Sequence, residues 1–272
     1  MVQCGVYAAE TLCSSLGSLH CINLLVVGML MRRLFTWTNI YFLTDGVMWI
    51  WYYDRQGCIQ SEGFNFLEDL PTFLVLLYAL QRLKLEQWGL NPSLDARVHK
   101  AHFGTLDRNY AREILEPNAT IVTIGGKKFE LMCKVHHSTL GIIGRGTVTV
   151  EAKFQDAPDK RYAAKISWPE ETRPNEAEVL QEAMNAARGD TDITNHIPTV
   201  FAMEDFPHCT ANVRKALGIP ERKDGHPDPR VLRVIVFPHL QPIVAFKERF
   251  LYSWLECVRC VCYQNCLMHT RL

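Results

Sequence analysis

The sequence predicts an α+β fold, in which an antiparallel sheet carries one prominent helix and an α/β extension precedes the sheet. Two observations support this fold class. From residue 119 onward apolar residues recur with the period of two that is typical of strands, and glycine turns separate the strand candidates. Between two of these candidates, residues 175–188 have the period of a helix, and Gly189 ends it.

The composition is that of an ordinary globular protein. Of 272 residues, 48% are hydrophobic and 21% are charged, and 29 basic residues balance 29 acidic ones. This balance excludes the basic character of a dedicated nucleic-acid binder. Arg32 and Arg33 interrupt the N-terminal apolar residues before these reach the ~20 that a spanning helix needs, and no basic segment of a signal peptide precedes them. We expect an intracellular protein, cytoplasmic or nuclear, with no membrane and no nucleic-acid partner.

Residues 1–117 are predicted to form an N-terminal extension, and this extension contains a hairpin. Residues 47–53 are rich in aromatic and β-branched side chains, and residues 54–57 have the composition of a turn. Residues 58–60 then begin the return strand.

A helix is predicted after this hairpin. Asp69 suits its N-cap and Pro71 its first turn. Because residues 73–80 are all apolar, we expect a buried helix that ends near Gly89.

Residues 118–241 are predicted to form a second domain that is rich in strands. A glycine turn at residues 125–126 joins the first two strands in a hairpin. Further strand candidates are residues 147–154, 161–167 and 231–237. Residues 205–229 are rich in proline and glycine and are interpreted as a loop or an insertion.

Three features of the second domain, in this order, carry chemistry. Gly144 and Gly146 lie between two strand candidates, where glycine lets backbone N–H groups approach a phosphate. Lys165 lies in an otherwise apolar strand, where an ammonium needs a partner or a ligand. Glu176 falls on the inward stripe of the next helix, with Glu178 as the alternative. Each feature alone is typical of a tight turn or a solvated side chain, but together they predict the phosphate-handling half of a protein-kinase-like fold.

Over roughly residues 45–256 the sequence resembles the fungal-type protein kinase family. The strings that carry the resemblance are Trp51-Tyr52-Tyr53-Asp54-Arg55-Gln56-Gly57, Asp69-Leu70-Pro71, Ala79-Leu80-Gln81-Arg82, Gly144-Arg145-Gly146-Thr147, Lys165-Ile166-Ser167-Trp168-Pro169-Glu170, Arg173-Pro174-Asn175-Glu176-Ala177-Glu178 and Leu232-Arg233-Val234-Ile235-Val236-Phe237. The resemblance implies a bilobal kinase fold, binding of ATP with magnesium, and transfer of phosphate to a protein hydroxyl.

The same resemblance implies roles for individual residues. Gly144 and Gly146 would cover the nucleotide phosphates, Lys165 would hold the α- and β-phosphates, and Glu176 would orient Lys165. The hinge that meets the adenine matches Phe237, Pro238, His239 and Leu240.

Three departures from the family pattern affect the expected activity. Thr149 replaces the third glycine of the loop, and Lys165 and Glu176 are only 11 positions apart. After the hinge there is no His-Arg-Asp or Asp-Phe-Gly string, and no aspartate follows Asp228. Asp205-Phe206-Pro207 precedes the hinge and is rejected as a metal-binding string. We therefore expect a kinase-like N-lobe truncated before its catalytic loop, with the C-lobe largely missing, no catalytic residues, no support for magnesium, and ATP as the ligand.

Residues 242–272 are expected to contain the start of the C-lobe and a cysteine-rich tail, and they suggest two alternative functions. One is a non-catalytic interaction module, which binds a protein partner through an exposed hinge and terminal helix. The other is a metal or redox site in the tail, but its single cluster lacks the second half of a zinc site, and buried thiols are favoured. The cluster consists of Cys257, Cys260, Cys262 and Cys266, followed by His269.

Overall fold

The computed structural model contains two antiparallel sheets, and it describes residues 2–14, 16–35, 38–94, 119–138, 141–187, 189–195, 197–219 and 228–239. The N-terminal elements are α1 (Val2–Ser14), β1 (His20–Phe35), β2 (Thr38–Asp54), β3 (Gly57–Gln60), β4 (Phe64–Asn65), α2 (Leu70–Arg82) and a 3₁₀-helix (Glu86–Trp88). The later elements are β5 (Ala119–Ile124), β6 (Lys127–Ser138), β7 (Val148–Phe154), β8 (Ala157–Ser167), α3 (Glu176–Ala186), α4 (Thr191–Thr194), β9 (Ala202–Cys209), α5 (Ala211–Ala216) and β10 (Val231–Pro238).

The strand orders are simple. The first sheet has the order β1-β2-β3, with β4 also paired to β2, and the second has the order β5-β6-β7-β8-β10-β9. The domain boundaries predicted at residues 117 and 241 fall outside the described residues and stay predictions.

The turn between β2 and β3 confirms the predicted hairpin. Asp54 Oδ1 accepts hydrogen bonds from the backbone N–H of Gln56 at 2.9 Å and of Gly57 at 3.0 Å. This local bonding is how aspartate closes a turn. The partner strand β1 was not predicted, because the apolar run 24–31 is continuous and carries no period of two.

Helix α2 forms where the sequence predicts a helix, but the prediction that it is buried is wrong. Asp69 caps it by accepting a hydrogen bond from Thr72 N at 3.2 Å, and Pro71 lies in its first turn. Only one stripe at helical spacing is half-buried, formed by Phe73, Leu76, Leu77 and Leu80. More than half exposed are Leu70, Leu74, Val75 and Tyr78. The side chains of α2 are apolar on all sides of the helix, but other parts of the molecule cover only one side.

The predicted end of this helix near Gly89 is also wrong, because α2 ends at Arg82. Gly89 instead ends the 3₁₀-helix with a φ of +98°. Its carbonyl oxygen accepts a hydrogen bond from Leu19 N at 2.8 Å, and a β-carbon at this position would overlap the backbone of His20. Glycine is required here by the close approach of the start of β1.

The core of the molecule lies on one face of the second sheet. Alternate residues of β8 and β10 point into it, namely Tyr162, Ala164, Ile166, Leu232, Val234 and Val236. Leu16 and Leu94, from the two ends of the N-terminal part, are buried in the same core. The N-terminal part of the chain is therefore attached to the second sheet by shared apolar contacts.

Aromatic rings fill one end of this core. The Phe129 ring centroid lies 5.4 Å from that of Phe154, 6.2 Å from Tyr162 and 6.0 Å from Phe201. The last two contacts are edge-to-face, the arrangement that ring quadrupoles favour. The predicted hairpin of residues 119–133 is thus confirmed and packed.

The interpretation of residues 205–229 as a loop is wrong for the first part of this segment. Strand β9 pairs with β10, and the short helix α5 follows it. Pro207 is compatible with a strand because β9 is the last strand in the sheet order. The outer edge of β9 approaches the β5–β6 turn, where Gly125 N donates to Glu204 Oε2 at 2.8 Å.

Helix α3 confirms the helix predicted over residues 175–188, with its last residue slightly earlier. Asn175 caps it by accepting a hydrogen bond from Ala177 N at 2.9 Å. Gly189 follows with a φ of +81°. The strands predicted over residues 147–154, 161–167 and 231–237 are likewise confirmed as β7, β8 and β10.

Several predicted features lie outside the described residues. These are Leu240, the terminal helix, and the tail with Cys257, Cys260, Cys262, Cys266 and His269. Among the helices that are described, none is long and apolar enough to cross a membrane.

Replacing Phe129 with alanine is expected to lower the free energy of unfolding by about 3–5 kcal/mol, because the ring is fully buried among three others. Ile121, on the adjacent strand β5, is exposed and provides the matched control. Its replacement by alanine should cost about 0.5 kcal/mol or less. Urea denaturation measures both values, and equal losses would contradict this assignment of the core.

Candidate active site

Lys165 lies on β8, the strand that follows β6 and β7 along the chain. Its neighbours Ala164 and Ile166 point into the core, so Lys165 faces the opposite side of the sheet together with Ala163 and Ser167. The cross-strand partners of Lys165 are Thr149 on β7 and Ile235 on β10. The substituted third glycine position therefore lies directly beside the lysine.

The structure brings Lys165 and Glu176 together. Lys165 Nζ donates to Glu176 Oε1 at 2.7 Å and to Oε2 at 2.6 Å. The side chains are 27% and 42% exposed, so the pair is accessible to solvent. Glu176 is the first residue of α3, immediately after the Asn175 cap, and the cap sets its position. Glu178, the alternative partner, is exposed.

A cavity of about 290 Å³ adjoins this pair. Four cationic side chains line it, from Arg145, Lys165, Arg173 and Arg233, and Glu176 is the carboxylate in its wall. Arg145 also acts electrostatically on Glu170, which lies outside the cavity lining, and helps to lower the pKa of that carboxyl. The cavity therefore carries a positive charge that suits an anionic ligand.

Carboxylates outside the cavity hold two of these cations. Arg233 donates to Asp205 from Nε at 2.6 Å and from Nη2 at 2.7 Å, and the bonds to Asp205 raise the pKa of Arg233. Arg173 Nε donates to Glu170 at 2.5 Å and thereby lowers the pKa of the Glu170 carboxyl. Arg230 also donates to Glu170, at 3.1 Å.

Residues 141–147, here called the glycine-rich loop, connect β6 to β7. Gly144 has a φ of +118° and Gly146 a φ of +47°, which side chains rarely adopt. The carbonyl oxygen of Arg145 accepts a hydrogen bond from Trp168 N at 2.7 Å, just beyond β8. This bond fixes the loop beside the lysine strand.

A β-carbon at Gly146 would lie 2.5 Å from Arg55 Nε, whereas one at Gly144 would meet no atom within 4 Å. From the sequence, Arg55 is predicted only to belong to the 54–57 turn and to a string that resembles the kinase family, and not to be a site residue. No local signal shows that it reaches a loop nearly ninety residues further along the chain. Arg145 was likewise not predicted as a site residue, although it lies between the two glycines.

Three of the four predicted hinge residues are described, and they lie at the end of β10 or directly after it. Phe237 pairs with Ala163 of β8, and His239 N donates to Arg161 O at 3.1 Å. Phe237 is half-buried, and Pro238 and His239 are exposed. Phe237 and Pro238 thus end strand β10 and His239 follows it, and β10 is the strand that pairs with the Lys165 strand β8.

Asp205, which the sequence analysis rejects as a metal ligand, is bound to Arg233 on the edge strand β9. In the part of the chain that the structure describes, no group of three metal-ligating side chains is present. The cationic side chains that line the cavity suit a phosphate group.

Replacing Asp205 with asparagine is expected to lower the free energy of unfolding by about 1–3 kcal/mol, because the almost buried Arg233 loses its charged partner. Asp159 on β8 is exposed and provides the control, for which the Asp159→Asn change should be close to neutral. Denaturation with and without Mg²⁺ measures the effect. A loss seen only with Mg²⁺ would make Asp205 a metal ligand and contradict this assignment.

The comparison with known families agrees with this geometry. The model of the fungal protein kinase family matches residues 28–246, a span that includes the 54–57 turn, the glycine-rich loop, Lys165 and Glu176. No curated protein and no solved structure matches the chain significantly. Since the family match covers most of the sequence, the chain belongs to the fungal protein kinase family.

Proposed function

We propose that this chain binds ATP at the cavity beside Lys165. The observation that carries the proposal is the Lys165–Glu176 ion pair, formed between strand β8 and helix α3, which follows it. In protein kinases the corresponding lysine and glutamate must be paired for the lysine to hold the nucleotide phosphates. The cationic lining of the cavity supports the same ligand.

Each part of the nucleotide has a proposed contact. Lys165 holds the α- and β-phosphates, and Glu176 orients its ammonium. Backbone groups of Phe237, Pro238, His239 and Leu240 meet the adenine, and Gly144 and Gly146 lie over the phosphates. Arg145 lines the same cavity and adds a cation to it. The family pattern does not require this cation.

We propose further that this chain of 272 residues binds ATP without transferring phosphate. The family implies transfer from ATP to a protein hydroxyl. This chemistry needs an aspartate that positions the hydroxyl and another that holds magnesium. The sequence contains no His-Arg-Asp or Asp-Phe-Gly string.

Saturating ATP is expected to raise the thermal unfolding midpoint by several degrees, since ligand at about 100 times its Kd contributes about 2.7 kcal/mol. Lys165→Met should weaken ATP binding at least tenfold and remove at least about half of this shift. Lys160 lies exposed on the same strand, so Lys160→Met is the matched control and should keep the full shift. Equal stabilisation of all three proteins by ATP would contradict the proposed site.

Incubation with radiolabelled ATP and Mg²⁺ is expected to leave both the chain and a generic protein substrate unlabelled. Lys165→Met serves as the reference for background labelling. Incorporation above this reference would show phosphotransfer and overturn the non-catalytic proposal, while leaving the ATP site in place.

A second candidate function, an interaction module, has one specific observation in its favour. Helix α2 exposes an apolar face formed by Leu70, Leu74, Val75 and Tyr78. Such a module needs no nucleotide. Indifference of the wild-type chain to ATP in the thermal experiment would favour this function over the nucleotide-binding lobe.

A further inference from the structure

Arg55 belongs to the β2–β3 turn, but its side chain lies between the two sheets and is 2% exposed. Its Nη1 donates to the carbonyl oxygen of Gly141 at 2.6 Å, and Nη2 donates to that of Leu12 at 2.8 Å. The carbonyl oxygen of Arg55 accepts a hydrogen bond from Gly144 N at 3.2 Å. One residue of the N-terminal sheet thus bonds the glycine-rich loop at two points.

The absence of a side chain at residue 146 is explained by this contact. A β-carbon there would lie 2.5 Å from Arg55 Nε and 2.7 Å from Nη1. The guanidinium occupies the space that any side chain would need. Glycine at 146 therefore suits both its φ of +47° and the position of the Arg55 guanidinium.

An apolar contact reinforces these bonds. Ile142 of the loop packs against a small buried cluster formed by Ala8, Cys21 and Tyr53. These residues come from α1, β1 and β2. The first part of the loop is therefore seated on the N-terminal part of the chain by both polar and apolar contacts.

The turn that carries Arg55 is held from its other side as well. Asp54 is paired with both terminal nitrogens of Arg214 on α5, with Arg214 Nη2 to Asp54 Oδ1 at 3.0 Å. Thr210 Oγ1 donates to Gln56 Oε1 at 2.8 Å. Because neighbours on both sides fix the turn, Arg55 is presented to the loop in one position.

We propose that Arg55 is a positioning residue, which holds the glycine-rich loop in the conformation that binds nucleotide phosphates. This proposal rests on the proposed ATP site beside Lys165. A loop with three glycines loses much conformational entropy when a ligand orders it. A loop that Arg55 has already ordered leaves less of that cost to binding, so the N-terminal sheet raises the affinity for ATP.

A static role fits the burial of Arg55 better than that of an inhibitory contact that opens. The guanidinium is withdrawn from water, and its hydrogen-bond partners are backbone carbonyl groups. Release of the loop would remove the Gly141 carbonyl from a buried charge, which is unfavourable. The contact is therefore expected to persist when the nucleotide binds.

Hydrogen exchange of the full-length chain without nucleotide tests whether Arg55 holds the loop. Arg55→Lys keeps a cation but loses the planar fork that spans Gly141 and Leu12, and Arg55→Met loses the charge as well. Both variants should increase exchange in residues 141–147 at least tenfold. Leu12→Ala disturbs the same region but keeps the Leu12 carbonyl, and it should leave the loop within about threefold of wild type. Unchanged exchange in both Arg55 variants overturns the proposal.

Calorimetric titration with ATP tests the consequence for binding. Arg55→Lys should weaken ATP binding at least tenfold, whereas Leu12→Ala should bind within about threefold of wild type. Lys165→Met should weaken ATP binding without changing exchange in the loop, which separates the ligand contact from the positioning effect. If Arg55→Met does not fold, Arg55→Lys decides the result.

Two other results are informative. ATP affinity that is unchanged or higher in Arg55→Lys overturns the positioning role and leaves the ATP site standing. A wild-type chain that does not bind ATP overturns the proposed function and with it the role of Arg55 in binding. Even then, the exchange measurement decides whether Arg55 holds the loop.

Discussion

The fold depends on the burial of two adjacent and oppositely charged residues, Asp54 and Arg55. Both are almost completely withdrawn from water, and withdrawing a charge costs several kcal/mol unless partners compensate it. Asp54 forms an ion pair with Arg214 on α5, and Arg55 donates one of its hydrogen bonds to the carbonyl oxygen of Gly141. These partners lie in or beside the second sheet. The hairpin that carries the turn is therefore compatible with a folded state only when the second sheet is in place.

Local order was predictable where a short stretch of sequence contains all the interactions that produce it. The Asp54 turn, the Asp69 cap and the Asn175 cap each bond to backbone within three residues. The turn and the Asp69 cap were predicted, whereas Asn175 was predicted only as the start of the helix that it caps. Burial was less predictable, because it depends on neighbours distant in the sequence. Helix α2 is apolar on all sides but packs on one. The sequence of β9 is typical of a loop, but the segment forms a strand because it pairs with β10 and because its Asp205 binds Arg233.

The site was predictable to the extent that its chemistry is written in residue type and order. Lys165 and Glu176 are singled out by an isolated charge on an apolar strand and by helical spacing, and the structure pairs them. The contribution of the N-terminal part could not be foreseen. Nothing around Gly146 shows that a guanidinium stands against it, and nothing around Arg55 shows where it points. Such contacts are properties of the tertiary fold, and a single sequence contains no local trace of them.

Two of the ion pairs in the described part of the chain differ in a way that separates structure from function. Asp54 is buried and the Arg214 side chain is 15% exposed, so this ion pair offsets the cost of burying the carboxylate. Lys165 and Glu176 are partly exposed, and pairs of that kind contribute only about 0–1 kcal/mol to stability. The Lys165 ammonium has three donor hydrogens, and its bonds to Glu176 use two. In the described part of the chain no third partner is present. An ammonium that is oriented but incompletely bonded, and that faces a cationic cavity, is suited to receive an anion.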